Sequence, residues 1–119
     1  MDDEVRSALA TERTIDITTT GRKTGQPRRK EIWFHNVDGR ILITGMPGRR
    51  SWYANLLADP AFTFHLKESI AVDLAATATP ITDAEEKRGL LAIITGRINA
   101  QNLEEWVARS PLVEVVFED

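Results

Sequence analysis

The chain has 119 residues, of which 42% are hydrophobic and 28% are charged, a composition typical of one globular domain spanning residues 1–119. It contains no cysteine, so disulfides, thiolate nucleophiles and cysteine-ligated zinc are excluded, and a cytoplasmic location is expected. No apolar run in the sequence is long enough to cross a membrane, and none follows the acidic N-terminus. We therefore expect neither a membrane span nor a secretory signal.

The charge of the chain is unevenly distributed. Overall there are 15 basic and 18 acidic residues, which gives a net charge of −3. Residues 22–50 alone carry eight basic and two acidic side chains, a local charge of +6, whereas the rest carries −9. Such a stretch indicates a small, highly anionic ligand rather than long nucleic acid, which the acidic remainder would repel. The alternative is a merely solvated basic surface.

The first half of the chain predicts β structure. An alternating, β-branched run predicts a strand over residues 14–20, and two glycines and a proline predict a turn over 21–27 with cations at its tip. Strands over 29–37 and 40–45 are expected to form an antiparallel hairpin. Asp38-Gly39 between them is a favoured two-residue turn.

The second half predicts short helices between further strands. A loop over residues 46–50 precedes Ser51, which is expected to cap a helix, and the capping box at 82–85 indicates another. The predicted elements are a helix over 52–58, strands over 61–67 and 70–79, a helix from the capping box through Ile94, a short helix around 103–107 and a strand over 112–117. Six strands without βαβ alternation indicate a mainly β (α+β) fold, a small antiparallel barrel with helices outside.

Side chains capable of catalysis on their own are scarce. His35 and His65 lie on separate predicted strands, without the spacing or the neighbouring ligands of a metal site, so no metal is expected. No serine stands in a GxSxG elbow. The carboxylate pairs at 85–86 and 104–105 sit at helix starts, where they complement the helix dipole. An enzyme of this sequence would therefore depend on a cofactor, and no catalytic side chain is assigned.

The turn that ends the first strand is suited to an anion. Its glycines let backbone N–H groups approach a ligand closely, while Arg22, Lys23 and Arg28 offer charge-assisted hydrogen bonds to phosphate or carboxylate. The GxxxxGK[ST] and GxGxxG patterns are absent, so ATP and Rossmann dinucleotides lack support. A second anion site is expected where Arg49 and Arg50 precede a helix N-terminus.

Two segments resemble those of a known family. Residues 18–28, Thr-Thr-Thr-Gly-Arg-Lys-Thr-Gly-Gln-Pro-Arg, resemble the T-T-G-R-K-[ST]-G-x-x-R signature of the deazaflavin-dependent nitroreductase family. Residues 52–60, Trp-Tyr-Ala-Asn-Leu-Leu-Ala-Asp-Pro, are similar to its W-x-x-N-L-x-A-x-P segment. The resemblance covers about residues 14–67 and implies the split β-barrel of flavin-binding reductases. It also implies coenzyme F420, a deazaflavin that carries a phosphate and an oligoglutamate tail.

The resemblance also implies a set of cofactor-binding residues. It places the side chains of Arg22, Lys23 and Arg28 near the phosphate and tail. It places the backbone of Thr44, Gly45 and Met46 beside the ring. Further contacts fall on Arg49, Arg50, Trp52 and Asn55. For Trp52 and Asn55 the alternative is that they lock the helix onto the barrel.

The function implied by the resemblance is hydride transfer from C5 of the reduced deazaflavin to a small electron-poor acceptor, a quinone, an enone or a nitroaromatic. The sequence departs from the family in Glu31, where a proline is common, and in lacking C-terminal tyrosines, so protonation is expected from water. The alternatives are an FMN-dependent split-barrel reductase and a non-catalytic carrier. A nucleic-acid-binding barrel is disfavoured because aromatic residues do not interleave with the basic turn. A homodimer is expected because such barrels have open strand edges.

Overall fold

A curled antiparallel sheet is the framework of the protein in a computed structural model, which describes residues 1–118. Its strands are β1 (Thr14–Thr20), β2 (Pro27–Trp33), β3 (His35–Val37), β4 (Arg40–Thr44), β5 (Ala61–Leu66), β6 (Val72–Pro80) and β7 (Leu112–Phe117). The helices are α1 (Asp3–Thr11), α2 (Ser51–Ala58), α3 (Ala84–Arg97) and α4 (Leu103–Arg109). The predicted mainly β, α+β class is confirmed, with seven described strands in place of six.

The sheet is curled because its two edge strands are consecutive in the chain. The strand order is β2-β1-β5-β6-β7-β4-β3, so β2 and β3 lie at opposite edges, yet only Phe34 separates them. Seven flat strands would hold their edges roughly 29 Å apart, since neighbours are about 4.8 Å apart, whereas the two Cα–Cα steps across one residue span at most about 7 Å. The sheet therefore closes into a half-barrel with Phe34 at the corner where its edges meet.

This corner corrects the prediction of one strand over residues 29–37. The backbone N–H of Phe34 donates to the carbonyl oxygen of Arg13 at 2.9 Å, and its ring is buried edge-on against Phe64 at 5.4 Å. The chain before this residue pairs with β1, and the chain after it pairs with β4. The predicted hairpin is confirmed for β3 and β4. Both of its turn residues have positive φ, 52° at Asp38 and 87° at Gly39, as a type I′ turn requires.

Helix α1 was not predicted from the sequence. The Asp2 carboxylate accepts a hydrogen bond from the N–H of Val5 at 3.1 Å and caps the helix. Val5, Ala8 and Leu9 are buried at the i, i+3, i+4 spacing of an amphipathic helix. The sequence therefore does contain a helix signal here, beside the acidic charge of the N-terminus.

Two predicted helix caps are wrong by one residue. The N-cap of α2 is Arg50, whose extended backbone (ψ 130°) precedes the helix, so Ser51 is already the first helical residue and caps nothing. The N-cap of α3 is Asp83 rather than Thr82, and its carboxylate accepts from the N–H of Glu86 at 2.9 Å. A charged oxygen at this position also complements the positive end of the helix dipole.

The alternation of β4 divides the core into two clusters. Ile41 and Ile43 face the barrel interior, which is filled by side chains such as Ile17 and Phe64. Leu42 faces the opposite side, where α3 and α4 pack against the outside of the sheet. None of the described helices is long and apolar enough to cross a membrane.

Candidate functional site

The split of the barrel is a cleft between β2 and β4. These strands lie close together, but within the part of the chain that the structure describes β4 pairs with β3 only as far as Leu42, and β2 pairs only with β1. Beyond the corner at Phe34, the facing edges of both strands therefore lack a partner. The turn that precedes β2 and the loop that follows β4, residues 45–50, flank the open part of this cleft.

A basic cavity of about 370 Å³ lies beside the turn. Its cations are Arg22 and Lys23 from the turn and Arg28 and Lys30 from β2, and no described carboxylate lines it. The strand register explains the second pair. Thr19 of β1 lies opposite Arg28, and Ile17, which also lines this cavity, lies opposite Lys30. Alternate residues of β2 thus place two cations on the cavity face.

The remaining charges of β2 lie on the other face of the sheet. There the Arg29 guanidinium contacts the Asp16 carboxylate at 2.9 Å, and Lys67 bridges Asp16, at 2.7 Å, and Glu31. Hydrogen bonds from Lys67 and then Arg29 hold the pKa of the Asp16 carboxyl below its usual value. Glu31, which departs from the family signature, therefore faces away from the cavity. These carboxylates therefore neutralise cations on the outer face of the sheet, whereas the cations on the cavity face keep their positive charge.

Asn55 of α2 holds the turn in place. Its Oδ1 accepts from the backbone N–H of Arg22 at 3.1 Å and from the guanidinium of the same residue at 2.9 Å. Its Nδ2 donates to the hydroxyl of Thr19 at 3.1 Å, and the side chain is buried. Asn55 therefore fastens the turn to α2 and β1 and orients one of the cavity cations.

The backbone of the turn is largely occupied by its own hydrogen bonds. The N–H of Gly21 donates to Gln26 O at 2.8 Å, that of Gly25 to Gly21 O at 2.8 Å, and that of Gln26 to the Thr24 hydroxyl at 3.2 Å. The N–H of Arg22 is taken by the amide of α2. Contrary to the sequence expectation, these four N–H groups are not available to an anion, which leaves the positive side chains as the main candidates to bind one. Gly25 is required by its φ of +73°.

An apolar cavity of about 430 Å³ lies at the carboxyl end of β4. It is lined by Trp33, His35, Thr44, Gly45, Met46, Ile98, Ala100 and Trp106. Two large apolar side chains in this lining are solvent-exposed, Trp33 by 46% and Met46 by 68%. The Thr44 hydroxyl is engaged by the carbonyl oxygen of Pro111 at 2.5 Å. The cavity is suited to a flat, weakly polar molecule.

A third cavity of about 400 Å³ is again basic, with Arg49, Arg50, Lys87 and Arg109 in its lining. Burial lowers the pKa of the Lys87 amine. Gly45 lies where the three cavities meet, since a Cβ there would stand 3.4 Å from Arg50 Nε and 3.7 Å from the Trp52 ring. The three cavities are therefore neighbours around the end of β4, with the side chains of Arg50 and Trp52 between them.

The ten residues predicted to bind a cofactor are distributed over these cavities. Arg22, Lys23, Arg28, Trp52 and Asn55 line the basic cavity, Thr44, Gly45 and Met46 the apolar one, and Arg49 and Arg50 the third. Lys30 was missed as a site residue, although its period-two spacing from Arg28 would have placed it on the same face.

The two histidines have different surroundings. His65 is bonded through both ring nitrogens, at 2.7 Å to the Thr18 hydroxyl and at 2.7 Å to the Asp73 carboxylate. His35 is buried, and burial, followed by the charges of Arg97 and Arg13, lowers its pKa to about 4. Within residues 1–118 no group of three or more potential ligands could hold a metal ion.

Comparisons with known proteins agree with this architecture. The model of the F420H(2)-dependent quinone reductase family matches residues 3–119. A solved F420 reductase is 16% identical, with a TM-score of 0.75 over 100% of this chain and 97% of that one. A conserved hypothetical protein from Mycobacterium tuberculosis is 19% identical, with a TM-score of 0.80 over 100% of this chain and 82% of that one. The heme storage protein HutZ from Vibrio cholerae is 14% identical, with a TM-score of 0.75 over 99% and 90%. At these identities the structural likenesses establish a shared fold.

Proposed function

The chain belongs to the F420H(2)-dependent quinone reductase family, and we propose that it transfers a hydride from reduced F420 to a small electron-poor acceptor, with a quinone as the first candidate. The observation that carries the proposal is the position of the basic cavity beside the apolar one, at the open part of the split. F420 has the matching shape, because a flat ring at one end is joined to a chain of anions at the other.

The basic cavity would hold the anionic part of the coenzyme. Arg22, Lys23, Arg28 and Lys30 converge there without a described carboxylate to compensate them. Guanidinium and ammonium groups form strong hydrogen bonds with phosphate and carboxylate oxygens, which supports this assignment. Asn55 contributes indirectly, because it fixes the direction of the Arg22 guanidinium before the ligand arrives.

The ring would lie against the backbone at the end of β4, residues Thr44 to Met46. Reduced F420 supplies the hydride when it is bound. The chain provides an apolar surface that excludes water from the reacting atoms, and exposed Trp33 and Met46 border the space that an acceptor would enter. A quinone is favoured as acceptor because this lining is mostly apolar and contains no described carboxylate or amine.

The number of cations supports F420 over FMN. FMN carries a single phosphate, whereas four cations line the basic cavity and four more line the third cavity. Phosphate and tail together would use both sets, with Arg50 beside Gly45 between them. Competition between the two flavins tests this choice. We expect F420 to displace FMN, and preferential retention of FMN would contradict it.

The proposed activity is tested by mixing the purified protein with reduced F420 and a 1,4-naphthoquinone and following the deazaflavin absorbance. We expect oxidation that depends on both protein and quinone. Tight binding of F420 without acceptor-dependent oxidation would indicate the non-catalytic carrier instead. As a matched pair, Lys30→Gln should raise the KM for the coenzyme, whereas Arg29→Gln on the opposite face of β2 should leave it unchanged.

A further inference from the structure

His35 lies in the wall between two cavities of different character. On one side is the apolar cavity at the end of β4. On the other side is a small cavity of about 170 Å³ whose lining includes Glu12, Arg13 and Arg97. The residue is 8% exposed, and no hydrogen bond to its ring is found within residues 1–118, whereas both ring nitrogens of His65 are bonded. The fully buried side-chain atoms without a partner in the described residues are Glu12 Oε1 and Ser110 Oγ, so the ring nitrogens of His35 reach the open space of the cavities that the ring lines.

The surroundings of His35 keep its ring neutral. The charged groups facing it from the small cavity are the cations Arg13 and Arg97 and the single carboxylate of Glu12. Burial in the first place, and then the two cations, lowers the pKa of the imidazole to about 4. At neutral pH the ring therefore carries one N–H donor and one acceptor nitrogen and has no net charge.

One other side-chain donor of the apolar cavity is already occupied, since the Thr44 hydroxyl donates to the Pro111 carbonyl. The indole N–H groups of Trp33 and Trp106 have no partner among the described residues and remain further donors in this lining. His35 is placed on β3, one strand from the end of β4 where the coenzyme ring would lie. An acceptor that enters this cavity would therefore meet an unpaired imidazole.

We propose that His35 is a catalytic residue for quinone reduction, its ring N–H donating a hydrogen bond to the carbonyl oxygen of the acceptor in the apolar cavity. This inference rests on the proposed function, since it requires a quinone beside bound F420. A neutral imidazole can polarise a carbonyl in this way without giving up its proton. The interaction strengthens as negative charge develops on the oxygen, which is the condition for lowering a barrier.

The electrons and protons balance without a further reagent. The quinone takes a hydride from C5 of reduced F420: that C–H bond breaks, an O–H bond forms at the carbonyl oxygen remote from His35, and the two electrons leave a hydroquinone anion with its charge on the oxygen facing His35. That oxygen takes one proton from water, and the hydroxide left behind is neutralised by the N–H proton that the oxidised coenzyme releases. His35 stays neutral throughout and holds the oxygen while its charge develops.

Three variants separate this role from a structural one. His35→Phe removes the donor at similar size, and His35→Gln restores an N–H donor. His65→Gln serves as the control, since His65 lies on β5 and is bonded to Thr18 and Asp73 outside the apolar cavity. Each protein is first titrated with F420, and kcat and KM are then measured separately for a 1,4-naphthoquinone with reduced F420.

We expect His35→Phe to lower kcat/KM for the quinone by about ten- to a hundredfold, the range of one hydrogen bond to a charged group. Its F420 affinity should stay within about twofold. His35→Gln should recover a large part of the loss, and His65→Gln should match the parent protein. Unchanged kcat/KM in His35→Phe would overturn the proposal, whereas failure of the parent protein to bind F420 would instead overturn the proposed function.

A spectroscopic readout on the parent protein keeps the inference testable even if His35→Phe folds poorly. The oxidised quinone is added to ¹⁵N-labelled parent protein loaded with oxidised F420, and the imidazole nitrogen resonances are recorded. We expect one histidine, identified by its absence in His35→Gln, to shift on addition of the quinone while the other stays fixed. If neither histidine responds to a quinone that binds, the proposed hydrogen bond does not exist.

Discussion

Acidification should destabilise the protein through a single buried side chain. The pKa of His35 is lowered to about 4 in the folded chain, from an ordinary value of 6.5. The unfolded chain therefore binds a proton more readily, so the stability from the neutral ring is complete above pH 6.5 and is lost as the pH falls towards 4. At 1.36 kcal/mol per pKa unit the loss reaches about 2 kcal/mol near pH 5 and about 3 kcal/mol near pH 4.

Urea unfolding followed by tryptophan fluorescence across this pH range measures the effect. The range above pH 5 is favourable because the carboxyls with lowered pKa, Asp16 and Glu104, have ordinary values of 3.8 and 4.5 and lose their stabilising contribution at lower pH. In His35→Gln the free energy of unfolding should fall less between about pH 6.5 and pH 5. In His65→Gln it should fall as much as in the parent protein. The burial argument would be refuted by a parent protein whose stability does not change in this window, or by an equal decline in His35→Gln.

Three further substitutions test the framework of the site. Asn55→Ala should lower the free energy of unfolding by about 2 kcal/mol and weaken F420 binding, because Arg22 loses its anchor, and unchanged binding would argue against that anchor. Phe34→Ala should lower the free energy of unfolding by about 3–5 kcal/mol, because it leaves a cavity in the buried corner. A loss of stability below about 1 kcal/mol would show that the corner is not tightly packed. Gly39→Ala should lower the free energy of unfolding by about 1–2 kcal/mol, since φ there is +87°. Its affinity for F420 should not change.

Much of the sheet follows from local sequence because alternation and turn chemistry are local signals. The strands around residues 61–66 and 112–117 and the turn at Asp38-Gly39 were predicted in this way. The corner at Phe34 was not predictable, because residues 29–37 contain no glycine or proline to mark a break in the strand. What changes there is the partner strand, a property of the whole sheet rather than of the segment.

In the candidate site, too, the local features were predictable from sequence and the long-range ones were not. The cations of the turn were predicted from charge and glycine, and Lys30 was available from strand alternation. Lys87 and Arg109 could not be placed beside Arg49 from sequence, because their proximity depends on how α3 and α4 pack against the sheet. The exposed basic turn was therefore predicted, whereas the proximity of the three cavities follows only from the tertiary structure.

The most direct test of the account is the affinity for oxidised F420, measured for the parent protein, Lys30→Gln and Arg29→Gln. The two substitutions remove the same charge from neighbouring positions on opposite faces of β2. The account predicts binding by the parent protein, a loss of about tenfold or more in Lys30→Gln, and no more than about a twofold change in Arg29→Gln. Equal affinity in all three proteins, or no binding by the parent at tens of micromolar, would contradict it.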